Sequence, residues 1–427
     1  MTFTDFITAH ENDDIAKLLL GKAKWPDIDM ERAATVIECR RRIRPRLPEW
    51  YSHPEIIYPD RLSTEQCSSS ETAEYKASVA SRIAGAGNSG NCRIADLTGG
   101  LGVDSAAFAE SFGKVLYNEM NPERADAARH NFNVLGRNNI EVTGFTASPE
   151  ESRLWDRLRV FSPDIVFVDP ARRSADGSKV FLLEECSPDV LGIMPQIFSC
   201  TDNLLLKLSP MADISMAASR LVKHGAEVRE VHCIASGGEC KELLIAASKA
   251  GDRMDGYSIT VYDGGRTMYF SQEDLGRIAS AGPELMACEE DLQNMKFLFE
   301  PGKALAKAGL FNAICSFGLK KAGINTHLYF SEKMPDSRLL PFGKTFSIKG
   351  FHQFNKQGTR TVSKMWPECE VTARNIPVSS EELRKKLGGK SGGSIHIFGI
   401  RIDCPGKGNP GTAGNRGVNY LIAGERL

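Results

Sequence analysis

No stretch of the 427 residues approaches the ~20 consecutive apolar positions that a membrane-spanning helix requires. The 11 cysteines are odd in number and include no C-x-x-C pair, which excludes a disulfide framework or a zinc ribbon as the organising principle. Reduced, mostly buried thiols are expected instead. The 8 histidines show neither H-x-x-x-H nor H-E-x-x-H spacing, so no metal site is expected. Met1-Thr-Phe-Thr-Asp-Phe lacks a basic segment followed by an apolar one, so no secretory leader is expected and the location expected is cytoplasmic. Internal repeats and low-complexity tracts are also missing.

Net charge is nearly absent at -1, but the average hides a gradient. From Phe330 to Leu427 there are 16 Lys and Arg against 8 Asp and Glu, leaving +8 there and -9 on the rest. A basic tail on an acidic body suits a polyanionic partner. A second basic knot, Arg40, Arg41, Arg42, Arg44 and Arg46, either grips phosphates or pairs with nearby acids.

Residues 1–62 read as helical, and Pro45, Pro48, Pro54 and Pro59 punctuate a connector. A Ser-capped helix within 63–84 and a turn over 85–90 lead into a regular alternation. Strands are expected at 92–96, 114–118, 140–145, 164–168 and 203–208. Helices are expected at 103–111, 122–135, 150–158, 188–198 and 213–224. A closing pair of runs, 228–234 and 242–247, is joined by a Gly-Gly turn. Repeated β-α units argue for a doubly wound, Rossmann-like α/β sheet, with an antiparallel strand inserted at its end. Beyond 251 the pattern changes to short strands (257–262, 266–270, 296–299, 327–330) around a helix at about 303–322. Further strands follow at 346–354, 369–374, 394–402 and 418–424. One more helix opens on Ser379-Ser380-Glu381-Glu382, a capping box. The expected division is therefore a helical region (1–62), an α/β domain (63–250) and small α+β domains at 251–330 and 331–427.

The chemistry concentrates at two strand ends. Asp96-Leu-Thr98-Gly99-Gly100-Leu-Gly102 joins the first strand to a helix through a glycine turn, which brings backbone N–H groups and a helix N-terminus up to a ligand. Glu119 ends the second strand and offers two acceptor oxygens to a ribose diol. A nicotinamide dinucleotide needs G-x-G-x-x-G, and Ser105 stands at the third glycine. The turn resembles instead motif I of class I S-adenosylmethionine-dependent methyltransferases. The second strand end, Asp169-Pro170-Ala171-Arg172-Arg173, resembles their motif IV, D-P-P followed by Tyr, Phe or Arg. Ala171 departs from that pattern, and no aromatic follows to stack a target amine. Cys is absent from both places where pyrimidine-C5 enzymes carry their nucleophile, which disfavours covalent catalysis.

The chain as a whole resembles a bacterial family of class I methyltransferases with THUMP-like C-terminal domains. The residues that carry this are Glu65-Gln-Cys-Ser-Ser, Asp96-Leu-Thr-Gly-Gly-Leu-Gly-Val-Asp, Asp169-Pro-Ala-Arg-Arg and Ala373-Arg-Asn-Ile-Pro-Val-Ser. The resemblance implies S-adenosyl-L-methionine as cofactor, a ferredoxin-like segment ahead of the THUMP-like part, and an RNA substrate, tRNA or rRNA, since THUMP-type domains bind RNA. Cofactor contacts are then expected from Asp96, Thr98, Gly99, Gly100, Gly102, Asp104, Glu119, Met120 and Ser148. Asp169, Pro170 and Arg172 are expected to serve the acceptor. Gln66, Ser68, Thr72 and Lys76 either close over the methionine moiety or form an ordinary capped helix. The competing readings are a methyltransferase acting on protein or a small molecule, a non-catalytic RNA-binding protein on the same scaffold, and a nucleotide-dependent oxidoreductase.

Overall fold

The computed structural model describes residues 1–85, 91–172, 183–251, 256–286, 289–404 and 416–427. The chain divides into two compact units, Met1–Ser236 with Lys241–Tyr257, and Gly237–Cys240 with Ser258–Leu427.

The first unit is a Rossmann-like α/β sheet preceded by helices. Its strands are β1 (Arg93–Asp96), β2 (Lys114–Asn118), β3 (Ile140–Thr143), β4 (Ile165–Val168), β5 (Asn203–Leu208), β6 (Ala226–Ser236) and β7 (Glu239–Lys249). They lie in the order 3-2-1-4-5-7-6. The first five pair in parallel, and β7 runs antiparallel to β5 with Asn203 opposite Ser248. Ile165-Val-Phe-Val168 is buried at every position, as a strand covered on both faces must be. Strand order reverses between β1 and β4, and in such sheets the crevice outside the carboxyl ends at that point takes the ligand. Asp96 ends β1 there, and Asp169 directly follows β4.

The helices begin where the chain supplies caps. Asp189 and Asp213 each accept a backbone N–H of the helix that follows, and Asn121 accepts two, with Pro122 pre-set for the first turn. Ahead of the sheet, helix Met30–Ile43 packs Ile37 and Ala33 against Phe6. The arginine knot that closes this helix is turned onto the protein itself. Arg40 pairs with Glu11 at 3.2 Å, Arg41 donates to the carbonyls of Glu11 and Asp13, Arg42 pairs with Glu65, and Arg46 donates to the carbonyls of Thr64 and Cys67. The turn expected over 85–90 lies, from 86 onward, outside the described residues.

The second unit opens with the hairpin β8 (Ser258–Asp263) and β9 (Arg266–Phe270). Its main sheet holds β10 (Phe297–Pro301), β11 (Lys320–Gly323), β12 (Thr326–Ser331), β13 (Gly343–Gln353), β14 (Glu370–Arg374), β15 (Ile395–Cys404) and β16 (Arg416–Arg426), in the order 11-12-10-13-16-15-14. The capping box at Ser379 is formed, and helix Ser380–Leu387 follows it. The continuous helix expected at 303–322 is not there. Lys303–Lys307 is a short helix, the chain then turns through Gly309 at φ +68°, and a 3-10 turn, Ala313–Phe317, ends on Gly318 at φ +78°. The residues after it form β11 and pair antiparallel with β12. Left-handed glycines ended what alanine and leucine favoured. Three helices described in this unit were not anticipated, Gln272–Ala281, Glu289–Asn294 and Lys356–Met365; the first opens on its own capping box at Ser271. Among the described residues no helix is long and apolar enough to cross a membrane, and no cluster of His, Cys, Asp and Glu is arranged to hold a metal ion.

Candidate functional site

The glycine turn after β1 is held by its own backbone. Leu97 N–H donates to the Phe167 carbonyl at 3.0 Å and Gly99 N–H to that of Asn118 at 2.9 Å. A Cβ on Gly99 would sit 2.1 Å from the Tyr117 ring, and one on Gly102 would sit 2.7 Å from Phe132. Those two glycines let the turn close onto the core. Gly100 is different. It adopts φ +55°, and the nearest atom to a Cβ there is the Thr98 carbonyl oxygen at 4.0 Å. This is bare backbone facing open space, the geometry of a cradle. The Tyr117 hydroxyl donates to the Gly100 carbonyl at 2.6 Å and fixes it from below.

Glu119 braces the turn from the end of β2. Its carboxylate accepts from Gly100 N–H at 3.0 Å and from Asn121 N–H at 2.9 Å. Each oxygen keeps a further lone pair, so the group still has capacity for a diol. Both neighbours of the turn open on one cavity of about 440 Å³. Its wall contains Thr98, Gly99, Gly100, Gly102, Asp104, Glu119, Met120, Ser148 and Asp169. Met120 is 60% exposed.

Two expected contacts stand elsewhere. Asp96 and Pro170 are buried and absent from the cavity wall. The side chain of Arg172 and all of Arg173 lie outside the described residues.

Asp96 serves the turn from behind. It accepts from Thr98 N–H at 3.0 Å and from the Ser105 hydroxyl at 2.7 Å. Burial, only partly offset by those hydrogen bonds, pushes its carboxyl up to about 7. A carboxyl whose proton is held more tightly in the fold than in the unfolded chain stabilises the fold at acid pH. That contribution is lost as pH rises from about 4 to about 7, at roughly 1 kcal/mol per pH unit. Asn keeps an acceptor for Thr98 and presents a donor to the rotatable Ser105 hydroxyl. Asp96→Asn is therefore expected to flatten this decline in thermal denaturation series. An unchanged slope would place the proton elsewhere.

Thr98 joins the two strand ends. Its hydroxyl accepts the backbone N–H of Asp169 at 2.6 Å while its own N–H goes to Asp96. The Asp169 carboxylate accepts from Lys207 Nζ at 2.6 Å. Burial raises the Asp169 carboxyl and the Lys207 ammonium opposes that rise. Burial disfavours the charge on Lys207 itself, but Asp169, Glu242 and Asp104 more than reverse this and hold the ammonium above its ordinary range.

A second buried cation supports the other side. Lys76 is fully buried, and its ammonium meets Ser68 Oγ at 2.6 Å, Glu242 Oε2 at 2.6 Å and Asp104 Oδ1 at 3.0 Å. The Ser68 hydroxyl donates in turn to Asp104 Oδ2 at 2.9 Å. Burial opposes the charge on Glu242, yet Lys76 and Lys207 hold its carboxyl well below the usual carboxylate range. Helix Ser70–Ile83 thus does more than cap: it carries a cation into the base of the site. Sequence reading passed over Lys207, Glu242 and this use of Lys76. The available signals were a lysine within the buried run Leu-Leu-Leu-Lys-Leu, and another on the same helix face as buried Ala73, Ala77 and Ala80.

Residues 297–337 match the family model of a ferredoxin-like domain, and residues 343–410 that of a THUMP domain-like family. Over its whole length the chain is similar to a protein provisionally assigned as a methyltransferase from Porphyromonas gingivalis W83, at 28% identity, covering 100% of this chain and 97% of that one, with a TM-score of 0.80. A precorrin-6y C5,15-methyltransferase from Geobacter metallireducens GS-15 aligns at 16% identity over 44% of this chain and 91% of its own, TM-score 0.30. An rRNA methylase from Streptococcus thermophilus aligns at 13% identity over 42% and 96%, TM-score 0.31. Alignments that loose carry no argument about substrate. No curated protein matches the chain.

Proposed function

We propose that this chain, a methyltransferase fold followed by ferredoxin-like and THUMP-like segments, transfers a methyl group from S-adenosyl-L-methionine to a base of structured RNA, tRNA or rRNA. The single observation that carries the transfer reading is the cradle at Gly100, which shares one cavity with Glu119 and Asp169. The full-length likeness to the Porphyromonas protein supports it.

When bound, the sulfonium cofactor supplies an activated methyl carbon. The chain's own residues bind and orient. The Gly99–Gly102 backbone and Asp104 hold the amino-acid end, Glu119 takes the ribose hydroxyls, and Met120 and Ser148 line the nucleoside side. Asp169 orients the acceptor and takes its proton, Pro170 shapes the turn that presents it, and Arg172 steadies the target base or a phosphate. Direct displacement needs little covalent help. Alignment of donor and acceptor at about 3–3.5 Å supplies much of the rate. Two buried lysines give the carboxylates at the site fixed positions, so little reorganisation remains for the reaction.

The RNA reading rests on the second unit. The THUMP-like match supports it, as does the excess of +8 from Phe330 onward. Helix Lys356–Met365 turns Gly358 and Val362 inward and leaves Lys356, Arg360 and Lys364 exposed at four-residue spacing, without a carboxylate partner among the described residues. Such a row suits a phosphate backbone. In this reading residues 63–250 carry the transfer and 331–427 the RNA contact.

Calorimetry with S-adenosylhomocysteine is expected to give a single-site isotherm, and mass spectrometry of total RNA nucleosides from a deletion strain to show one methylated nucleoside lost and restored by the intact gene. A flat isotherm removes the cofactor, and an unchanged nucleoside profile removes the RNA substrate.

A further inference from the structure

The segment Ala373-Arg-Asn-Ile-Pro-Val-Ser plays no part in the transfer site, yet it contains one of two non-glycine residues with positive φ among those described, Asn375 at +57°. A left-handed asparagine between a strand and a helix points to a constraint. Its Nδ2 donates to the Thr326 hydroxyl at 3.2 Å, and that hydroxyl donates to the Arg401 carbonyl at 3.0 Å. Asn375 is thereby fixed against β15.

A second anomaly lies beside it. Arg401 and Asn419 face each other across the β15–β16 ladder. Asn419 Oδ1 is buried and has no hydrogen-bond partner. A buried acceptor left unmade is costly, so it signals a donor from outside. Gly417, two residues before Asn419, is bare where a Cβ would meet Arg401 Nε at 2.2 Å, so the guanidinium lies across open backbone. Arg401 Nε also donates to Asp403 at 3.3 Å, and Asp403 accepts from Ile324 N–H at 3.0 Å, which engages the one carboxylate among the described lining residues. These groups and the side chains of Ile324, half exposed, and Pro377 line a cavity of about 600 Å³.

The chemistry selects a class of ligand. Two amides offer both donors and an unfilled acceptor, while Ile324 and Pro377 offer apolar surface. A planar heterocycle with a polar edge meets all of these; a bare phosphate would leave the Asn419 acceptor unpartnered, because an ionised phosphate has no proton to donate. We infer that the cavity formed by Asn375, Arg401, Asn419, Ile324 and Pro377 is a pocket for an unpaired nucleobase of the RNA substrate. This rests on the RNA reading given above and adds a place where a base edge is read. Single-stranded RNA is recognised in this manner, by base edges and flat contacts together. The pocket also adjoins the basic row: Phe354 N–H donates to the Asn419 carbonyl at 2.8 Å, and Lys356 follows two residues later.

The test uses the full chain and fluorescence anisotropy with a short, mixed-sequence single-stranded RNA and the same strand made abasic. Asn419→Ala deletes the orphaned acceptor, and Asn375→Gly deletes the amide while accepting the left-handed backbone. Each is expected to weaken binding of the base-bearing strand about tenfold, with both variants folded and abasic binding equal in all three proteins. Tight RNA binding that neither variant alters, or an abasic strand bound as well as the intact one, overturns the pocket alone. No binding of either strand also overturns the pocket, whereas the RNA reading itself falls only if the nucleoside profile of the deletion strain is unchanged.

Discussion

Asp169→Asn is expected to lower methyl transfer at least about a hundredfold, with S-adenosylhomocysteine affinity within a few-fold of wild type. The substitution keeps the shape of the side chain. The backbone N–H that Thr98 accepts is untouched, so the turn stays in register with the glycine cradle. What disappears is the negative charge that Asp169 presents to the cavity. The amide can still accept from Lys207, but it cannot take a proton, and the ammonium is left without its nearest counter-charge. The loss belongs in kcat, because in the role proposed for it the group acts on the acceptor at the moment of reaction rather than on cofactor binding. Single-turnover assays with the RNA fraction that accepts methyl would measure it. Wild-type turnover in this variant would sink the role given to Asp169.

Lys76→Met is expected to destabilise the first unit by about 3–5 kcal/mol, the usual result of leaving buried charges without their partner. Methionine fits the volume, so packing is not the issue. The issue is Glu242 and Asp104, both largely shielded from water and both losing the ammonium that spans them. A fall in melting temperature of roughly 10 °C follows for a unit of this size. Replacing Glu242 by Leu in the same protein is expected to recover part of the loss, because an apolar pair removes one of the stranded charges. If Lys76→Met melts with wild type, the buried network contributes nothing. S-adenosylhomocysteine binding should weaken in the single variant as well, since Asp104 keeps only the Ser68 hydroxyl to aim it.

The doubly wound sheet was legible because most inner strands are short apolar runs with a polar residue at or just past their end, and three of the helices between them start on a side-chain cap, Asn121, Asp189 and Asp213. Strand edges agree with the observed ones to within a few residues, and the antiparallel insertion at the end of the sheet was visible in the Gly237-Gly238 turn. The cradle was legible for the same local reason, since glycine spacing is written in consecutive positions. The buried ion network was not. Lys76 and Glu242 are 166 residues apart, and nothing local in either helix or strand pairs them. Helix Lys356–Met365 was missed because its sequence is polar, holds a glycine, and includes Thr and Val. It forms because Asn355 caps it and because Gly358 lets it seat against the strand below, where a Cβ would meet the Gln353 carbonyl at 2.1 Å. Tertiary fit overrode propensity there, as the sheet edge did at β11.

The segments that match the ferredoxin-like and THUMP-like families hold adjacent strands of a single sheet. β10, from the first, pairs with β13, from the second, along Phe297 to Pro301. Cutting the chain between them would strip one flank of β10 of every ladder partner and leave raw hydrogen-bonding groups ready to aggregate. Recombination that shuffles either piece by itself would thus yield a sticky fragment, so the two are expected to travel through evolution as one inseparable cassette.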